Sequence, residues 1–227
     1  MSMQAMAVRE TFSRNGKGPI PSAPPAPVVG LFNLMGAPLA FARNEEVYGE
    51  GEPAEYLYTV TSGCVRTSKI LNDGRRQIGA FYLPGDIFGL EAGDEHSFSA
   101  EALAPTTVRI VKRTALTSRA TCDSAMASQL LSLTVSELQR TQCRVLLLIK
   151  SAQERVAGFL LEMANRKCTA NEIELPMSRQ DIADYLGLTI ETVSRTLTQL
   201  ENACAIALPT SRRIVLRNRS ALARLNA

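Results

Sequence analysis

The sequence predicts an α+β chain with three parts: a β-rich N-terminal half, a long helix, and a winged helix-turn-helix at the C-terminus. Three observations carry that expectation. Short β-rich runs broken by evenly spaced glycines fill the first half. Asp123 to about Ile149 contains neither Pro nor Gly. Two short helical patterns around a glycine-containing turn, followed by a strand-turn-strand pattern, end the chain.

Taken in order, residues 1–30 include Pro19, Pro21, Pro24, Pro25 and Pro27. Such a segment is extended and cannot build a core of its own, so it reads as a disordered Pro-rich tail. Residues 31–122 hold the β-rich runs Tyr56–Val60, Ile78–Leu83 and Thr107–Val111. Gly51, Gly63, Gly74 and Gly85 punctuate them at spacings of 12, 11 and 11. Asn72-Asp73-Gly74 is a hairpin signal, because glycine accepts the positive φ of a tight turn. Turns at this interval indicate a sandwich, a barrel or a roll.

Residues 123–150 read as one helix. Leu131, Val135, Leu138, Gln142, Val145 and Ile149 step by 4, 3, 4, 3 and 4. That heptad seam favours a partner helix over a helix packed only on its own domain. Residues 151–227 begin with Ser151 and Glu154, the S-x-x-E spacing of a capping box.

The helix-turn-helix follows. Ser178 caps a helix with Asp181 at its third position, Gly187 breaks that helix, and Thr189 caps the next. Val193, Leu197 and Leu200 turn inwards, leaving Glu191, Ser194, Arg195 and Thr198 outward. A carboxylate accepts from cytosine N4, a guanidinium donates two bonds to guanine, and a hydroxyl serves either way. Glu191, Ser194 and Arg195 also lie in the first turns of the second helix, the part that enters the major groove in this motif. Glu191 and Arg195 can equally form an i,i+4 ion pair worth about 0.2–0.5 kcal/mol. Ile206–Leu216 reads as strand, turn, strand, with Arg212 and Arg213 placed as a wing would place phosphate contacts. Ser178, Arg179, Thr189 and Thr198 are further candidates for the DNA backbone.

Composition agrees with a double-stranded DNA partner. The chain has 227 residues, a net charge of +3 and 45% hydrophobic residues, enough apolar content for a core. From Arg195 onward six arginines face one acid, Glu201, a locally basic tail suited to a polyanion. No Trp and 5% aromatics argue against a reader that stacks single-stranded bases. One histidine, His96, and no metal-ligand spacing argue against an enzyme. Cys64, Cys122, Cys143, Cys168 and Cys204 are scattered, no apolar run precedes them, and no stretch reaches membrane-spanning length. The expected compartment is a reducing cytoplasm, with no membrane partner.

The order of parts, with Ser178-Arg-Gln-Asp-Ile-Ala-Asp-Tyr-Leu-Gly187 and Glu191-Thr-Val-Ser-Arg195, resembles the CRP/FNR family of bacterial transcription regulators. The resemblance implies a β-roll (a double-stranded β-helix, jelly-roll-like) at 31–122, a homodimer joined along the long helix, and RNA polymerase as a partner of an activator. The E-x-x-S-R pattern resembles the FNR/FixK side of the family and implies TTGAT-type half-sites in a two-fold operator. By that resemblance Glu191, Ser194 and Arg195 read bases, with Ile190 adjacent. Two family signals lack their residues here. No cysteine precedes Cys64 to hold an iron–sulfur cluster, and no arginine lies between Arg76 and Arg109 to hold a cyclic-nucleotide phosphate. No cofactor is therefore expected. A lone His96 points to a structural or surface residue rather than a haem ligand, and Cys204, standing where the family has a helix-ending Gly, is either a small buried thiol or the candidate redox-sensitive one. The alternatives are an effector- or redox-responsive member of the same architecture, or a ligand-binding module that regulates a protein partner.

Overall fold

The structure, a computed structural model, describes residues 36–147, 149–166 and 171–225. The Pro-rich segment at 1–30 and Cys168 lie outside the described residues. Eight strands come first: β1 (Ala37–Phe41), β2 (Glu46–Tyr48), β3 (Tyr56–Ser62), β4 (Val65–Ile70), β5 (Arg76–Tyr82), β6 (Ile87–Phe88), β7 (Ser99–Ala102) and β8 (Thr106–Lys112). They form two four-stranded antiparallel sheets, ordered β1-β8-β3-β6 and β2-β7-β4-β5. The β-runs expected at Tyr56, Ile78 and Thr107 are β3, β5 and β8. All four punctuating glycines have positive φ. Gly63 has a second reason to be glycine, since a Cβ there would sit 2.6 Å from the Pro105 carbonyl oxygen.

Between the sheets lie Tyr58, Val60, Val65, Phe88, Ala100 and Val108. His96 is buried there, its ring stacked 3.5 Å from that of Tyr48. Burial lowers its pKa, and Glu91 nearby only partly opposes this. The folded chain therefore holds His96 neutral while the unfolded chain takes up a proton below about pH 6.5. The His96 contribution to stability is complete above that pH and is lost as pH falls. His96→Phe, which keeps a ring on Tyr48, is expected to lose less of its urea midpoint between pH 7.5 and 5.5 than the wild type. Equal losses would exclude this origin.

Two helices follow, α1 (Arg113–Cys122) and α2 (Ser124–Leu147). Asp123 separates them: its carboxylate accepts from the Ala125 and Met126 N–H groups and starts α2. Met126 and Leu133 of α2 pack on Leu57, Ile87, Val111 and Leu116, fixing the helix to the roll. A second apolar stripe on α2 has no cover among the described residues. Leu131, Val135, Leu138 and Val145 are exposed, Gln142 lies among them, and Ile149, just past the helix end, is 84% exposed.

The remaining elements are α3 (Ala152–Arg166), β9 (Glu172–Glu174), α4 (Arg179–Leu186), α5 (Ile190–Asn202), β10 (Ile206–Ala207), β11 (Arg213–Leu216) and α6 (Arg219–Leu225). Ser151 and Glu154 cap α3 reciprocally, at 2.7 and 3.4 Å. Phe159, Leu160, Met163, Ile182, Val193, Leu197, Leu200 and Leu222 share one core with Ile78, Phe81 and Leu83 of the roll. No described helix is long and apolar enough to cross a membrane.

Candidate nucleic-acid interface

The helix-turn-helix is built from local signals that the side chains satisfy. Ser178 and Asp181 form a full capping box at the start of α4. Gly187 ends α4 in the left-handed region at φ 63°, and the Thr189 hydroxyl accepts from the Thr192 N–H to start α5. Val193, Thr196, Leu197 and Leu200 are buried, so one face of α5 is fixed to the core. Its other face follows by geometry: Glu191, Arg195 and Thr198 are exposed and Ser194 is half-buried. Ile190, the first residue of the helix, is 37% exposed beside Glu191.

The outward side chains are pre-set. The Glu191 carboxyl is held below the usual carboxylate range by its own backbone N–H and by the Thr189 hydroxyl. Those contacts, rather than Arg195, orient it. Arg179 at the start of α4 reaches across to the Ser194 hydroxyl at 3.3 Å, linking the two helices at their outer face. Ser178 is half-buried and Thr189 exposed, both at helix N-termini, where backbone N–H groups favour a phosphate.

The wing is real but larger than the sequence indicates. β10 and β11 pair as a hairpin, and β9 adds a third strand through Ile173 and Ile214. Glu172 on β9 forms an ion pair with Arg213, which offsets part of the wing's charge. Arg212 is exposed at the turn.

Cys204 follows α5 with φ 55°. Its N–H bonds the Glu201 carbonyl at 2.8 Å, and the Ala205 N–H bonds the Leu200 carbonyl at 3.0 Å. That pair of bonds is a Schellman ending with cysteine in the position glycine usually takes. The thiol is exposed.

Two polar clusters escaped the sequence reading. Asp86 sits at the junction of all three parts, accepting from the Leu83 N–H at 2.7 Å, from Arg140 of α2 at 3.2 Å, and from Arg166 of α3. Asp181 faces Arg66 and Arg76 of the roll. The helices bring arginines to the edge of the roll: a cavity of about 580 Å³ between roll, α2 and α3 is lined by Arg140, Arg144 and Arg166, with Glu137 and Glu162 beside them. Among the described residues no group of three or more His, Cys, Asp or Glu side chains is placed to hold a metal ion.

Comparison with known proteins agrees with this arrangement. Residues 154–225 match the family described as Crp-like helix-turn-helix domain, and residues 38–138 match that described as Cyclic nucleotide-binding domain. The chain is 54% identical over 212 residues to the nitrogen fixation regulation protein FixK of Azorhizobium caulinodans, covering 91% of this chain and 84% of the relative. It is 43% identical to the FixK of Rhizobium meliloti, over 78% of this chain and 81% of that one. The solved structure of FixK2 from Bradyrhizobium japonicum superposes with a TM-score of 0.82 at 52% identity, covering 85% of this chain and 98% of that structure. The chain therefore belongs to the CRP/FNR family of DNA-binding transcription regulators, a family of regulators rather than enzymes, and to its FixK-like branch.

Proposed function

We propose that this regulator acts in the cytoplasm as a homodimer on a two-fold operator of TTGAT-type half-sites, activating transcription through RNA polymerase without a small-molecule effector. The observation that carries the reading is the outward face of α5, where Glu191, Ser194 and Arg195 stand on a helix whose opposite face is buried. In this proposal residues 31–122 are the roll, 123–150 the dimerisation helix and 151–227 the DNA-binding part. Ser178, Arg179, Thr189, Thr198, Arg212 and Arg213 hold the DNA backbone. The exposed stripe Leu131, Val135, Leu138, Gln142, Val145 and Ile149 is the seam between protomers.

Fluorescence anisotropy with a TTGAT palindrome and a scrambled duplex tests it. The wild type is expected to prefer the palindrome without added ligand, with affinity falling steeply as salt rises. Arg195→Ala is expected to cost about 1–3 kcal/mol and to relax discrimination at one base pair of each half-site. Equal binding to both duplexes would remove the proposal.

The cavity of about 580 Å³ favours a second reading, an effector-responsive member of the same architecture. Arg140 pairs with Glu137 and Asp86, and Arg166 with Asp86 and Glu162. An anionic ligand that reaches Arg140 or Arg166 has to displace these internal partners. Calorimetric titration with cyclic nucleotides is expected to give no heat; a saturable signal would favour this second reading.

A further inference from the structure

The carboxylate of Asp181 does two things at once. Its Oδ2 closes the capping box, accepting from the Ser178 N–H at 2.9 Å and the Ser178 hydroxyl at 2.7 Å. Its Oδ1 faces the other way, to Arg66 Nη1 at 2.5 Å and Arg76 Nη2 at 2.8 Å. Both arginines belong to the roll, on β4 and β5, more than a hundred positions earlier in the chain. Arg76 also donates from Nε to Asp184 at 2.8 Å, and Gln77 donates to the Asp184 carbonyl at 2.8 Å. Arg66 is held in turn by Glu101 on β7 at 2.8 Å. The Asp181 side chain is only 5% exposed and that of Arg66 11%.

The roll and the helix-turn-helix also share apolar core, with the Phe81 and Tyr185 rings tilted against each other at 5.1 Å. Apolar contact holds two bodies together but is non-directional. Charge-assisted bonds between guanidinium and carboxylate are directional. Here they grip α4 at its first turn and again at Asp184, so they define an angle and not only a distance. α4 carries α5 through the Gly187 turn and the Arg179–Ser194 bond. The roll is fixed in turn to α2, the proposed seam.

We infer that Arg66 and Arg76 are positioning residues for DNA reading: through Asp181 and Asp184 they set the direction of the reading helix relative to the roll and the seam. They touch no base. They act on the two-fold operator as a whole, because two reading helices meet two half-sites together only when each is held at the right angle. The inference rests on the proposed dimer and two-fold operator.

The test uses the full chain with three duplexes: the palindrome, a single half-site, and a palindrome lengthened by one base pair between half-sites. Arg76→Gln is expected to reduce the advantage of palindrome over half-site about tenfold, and to shrink the penalty for the lengthened spacer. Its half-site affinity is expected to fall less than twofold. Asp184→Asn attacks the same bridge from the other side and is expected to act likewise, while Arg76→Lys restores part of the advantage. An unchanged palindrome advantage and spacer penalty in both Arg76→Gln and Asp184→Asn overturns the inference. So does an equal loss on half-site and palindrome, which places the effect inside the helix-turn-helix. A wild type with no palindrome advantage fails the proposed function itself, and this inference with it.

Discussion

Asp86→Ala is expected to destabilise the chain by about 3–5 kcal/mol, the usual cost of removing one partner from a buried ion pair. The Asp86 side chain is 4% exposed and those of Arg166 and Arg140 are 8% and 16%. Removing the carboxylate leaves two guanidiniums poorly hydrated, and only Glu137 and Glu162 remain to balance them. Burial already raises the pKa values of both glutamates, so their capacity to substitute is limited. The loss also frees the Leu83 N–H at the turn into β6. For a chain of this size the change corresponds to roughly 10 °C in Tm.

Urea unfolding of the single and double variants separates this account from a simple cavity. If the cost is an unpaired charge, Arg166→Met in the Asp86→Ala background restores part of the stability, because the charge left behind is gone. A non-additive term of about 0.5–3 kcal/mol is expected. Simple additivity would mean that Asp86 and Arg166 act independently. Asp86 reaches the roll, α2 and α3 together, so its loss is also expected to weaken the coupling of the DNA-binding part to the rest.

What the sequence made legible was the part whose signals are local. The helix-turn-helix depends on spacings of a few residues: the Ser178–Asp181 box, Gly187 at the break, and Val193, Leu197 and Leu200 on one face. The same is true of the glycine turns and of the Ser151–Glu154 cap. The winged motif therefore emerged with the buried and outward faces of its second helix already distinguished. The short strands β1, β2, β6 and β7 carry little periodicity of their own and exist because neighbours pair with them.

The polar clusters were illegible for a physical reason. Asp86 follows Gly85 and reads as an ordinary turn acid; its partners Arg140 and Arg166 lie 54 and 80 residues away. Asp181 reads fully as the third residue of a capped helix, and nothing nearby signals a second function for its other oxygen. The absence of arginine between Arg76 and Arg109 likewise said nothing of cations that the helices bring to the cavity. Glu172 was missed because β9 is three residues long, yet it changes the charge that Arg213 presents. A lone histidine in sequence fits a structural or a surface position alike; burial of His96 against the Tyr48 ring decides for the first.

Leu138→Glu is expected to leave the chain monomeric at micromolar concentration and to abolish the palindrome advantage while sparing half-site binding. Leu138 is 56% exposed in the single chain, between Val135 and Gln142 on a stripe whose opposite face, through Met126 and Leu133, is already committed to the roll. α2 is thus apolar on two sides, and among the described residues only one is covered. Leu131, Leu138 and Val145 recur every seven residues, as do Val135, Gln142 and Ile149, which is the alternation of d and a positions in a two-stranded seam. A glutamate at 138 meets its own copy across such a seam. It loses an apolar contact and places two carboxylates in a site that excludes water, where each unpaired charge costs several kcal/mol. Gln142 occupies an a position, where a polar residue fixes register at some expense of stability. Gln142→Leu is therefore expected to tighten the dimer. Sedimentation velocity reads both changes directly. A Leu138→Glu chain that remains dimeric and keeps its preference for the palindrome would place the protomer contact elsewhere. In that case the uncovered stripe on α2 would need another partner, and the two-fold operator would lose its structural basis in this helix.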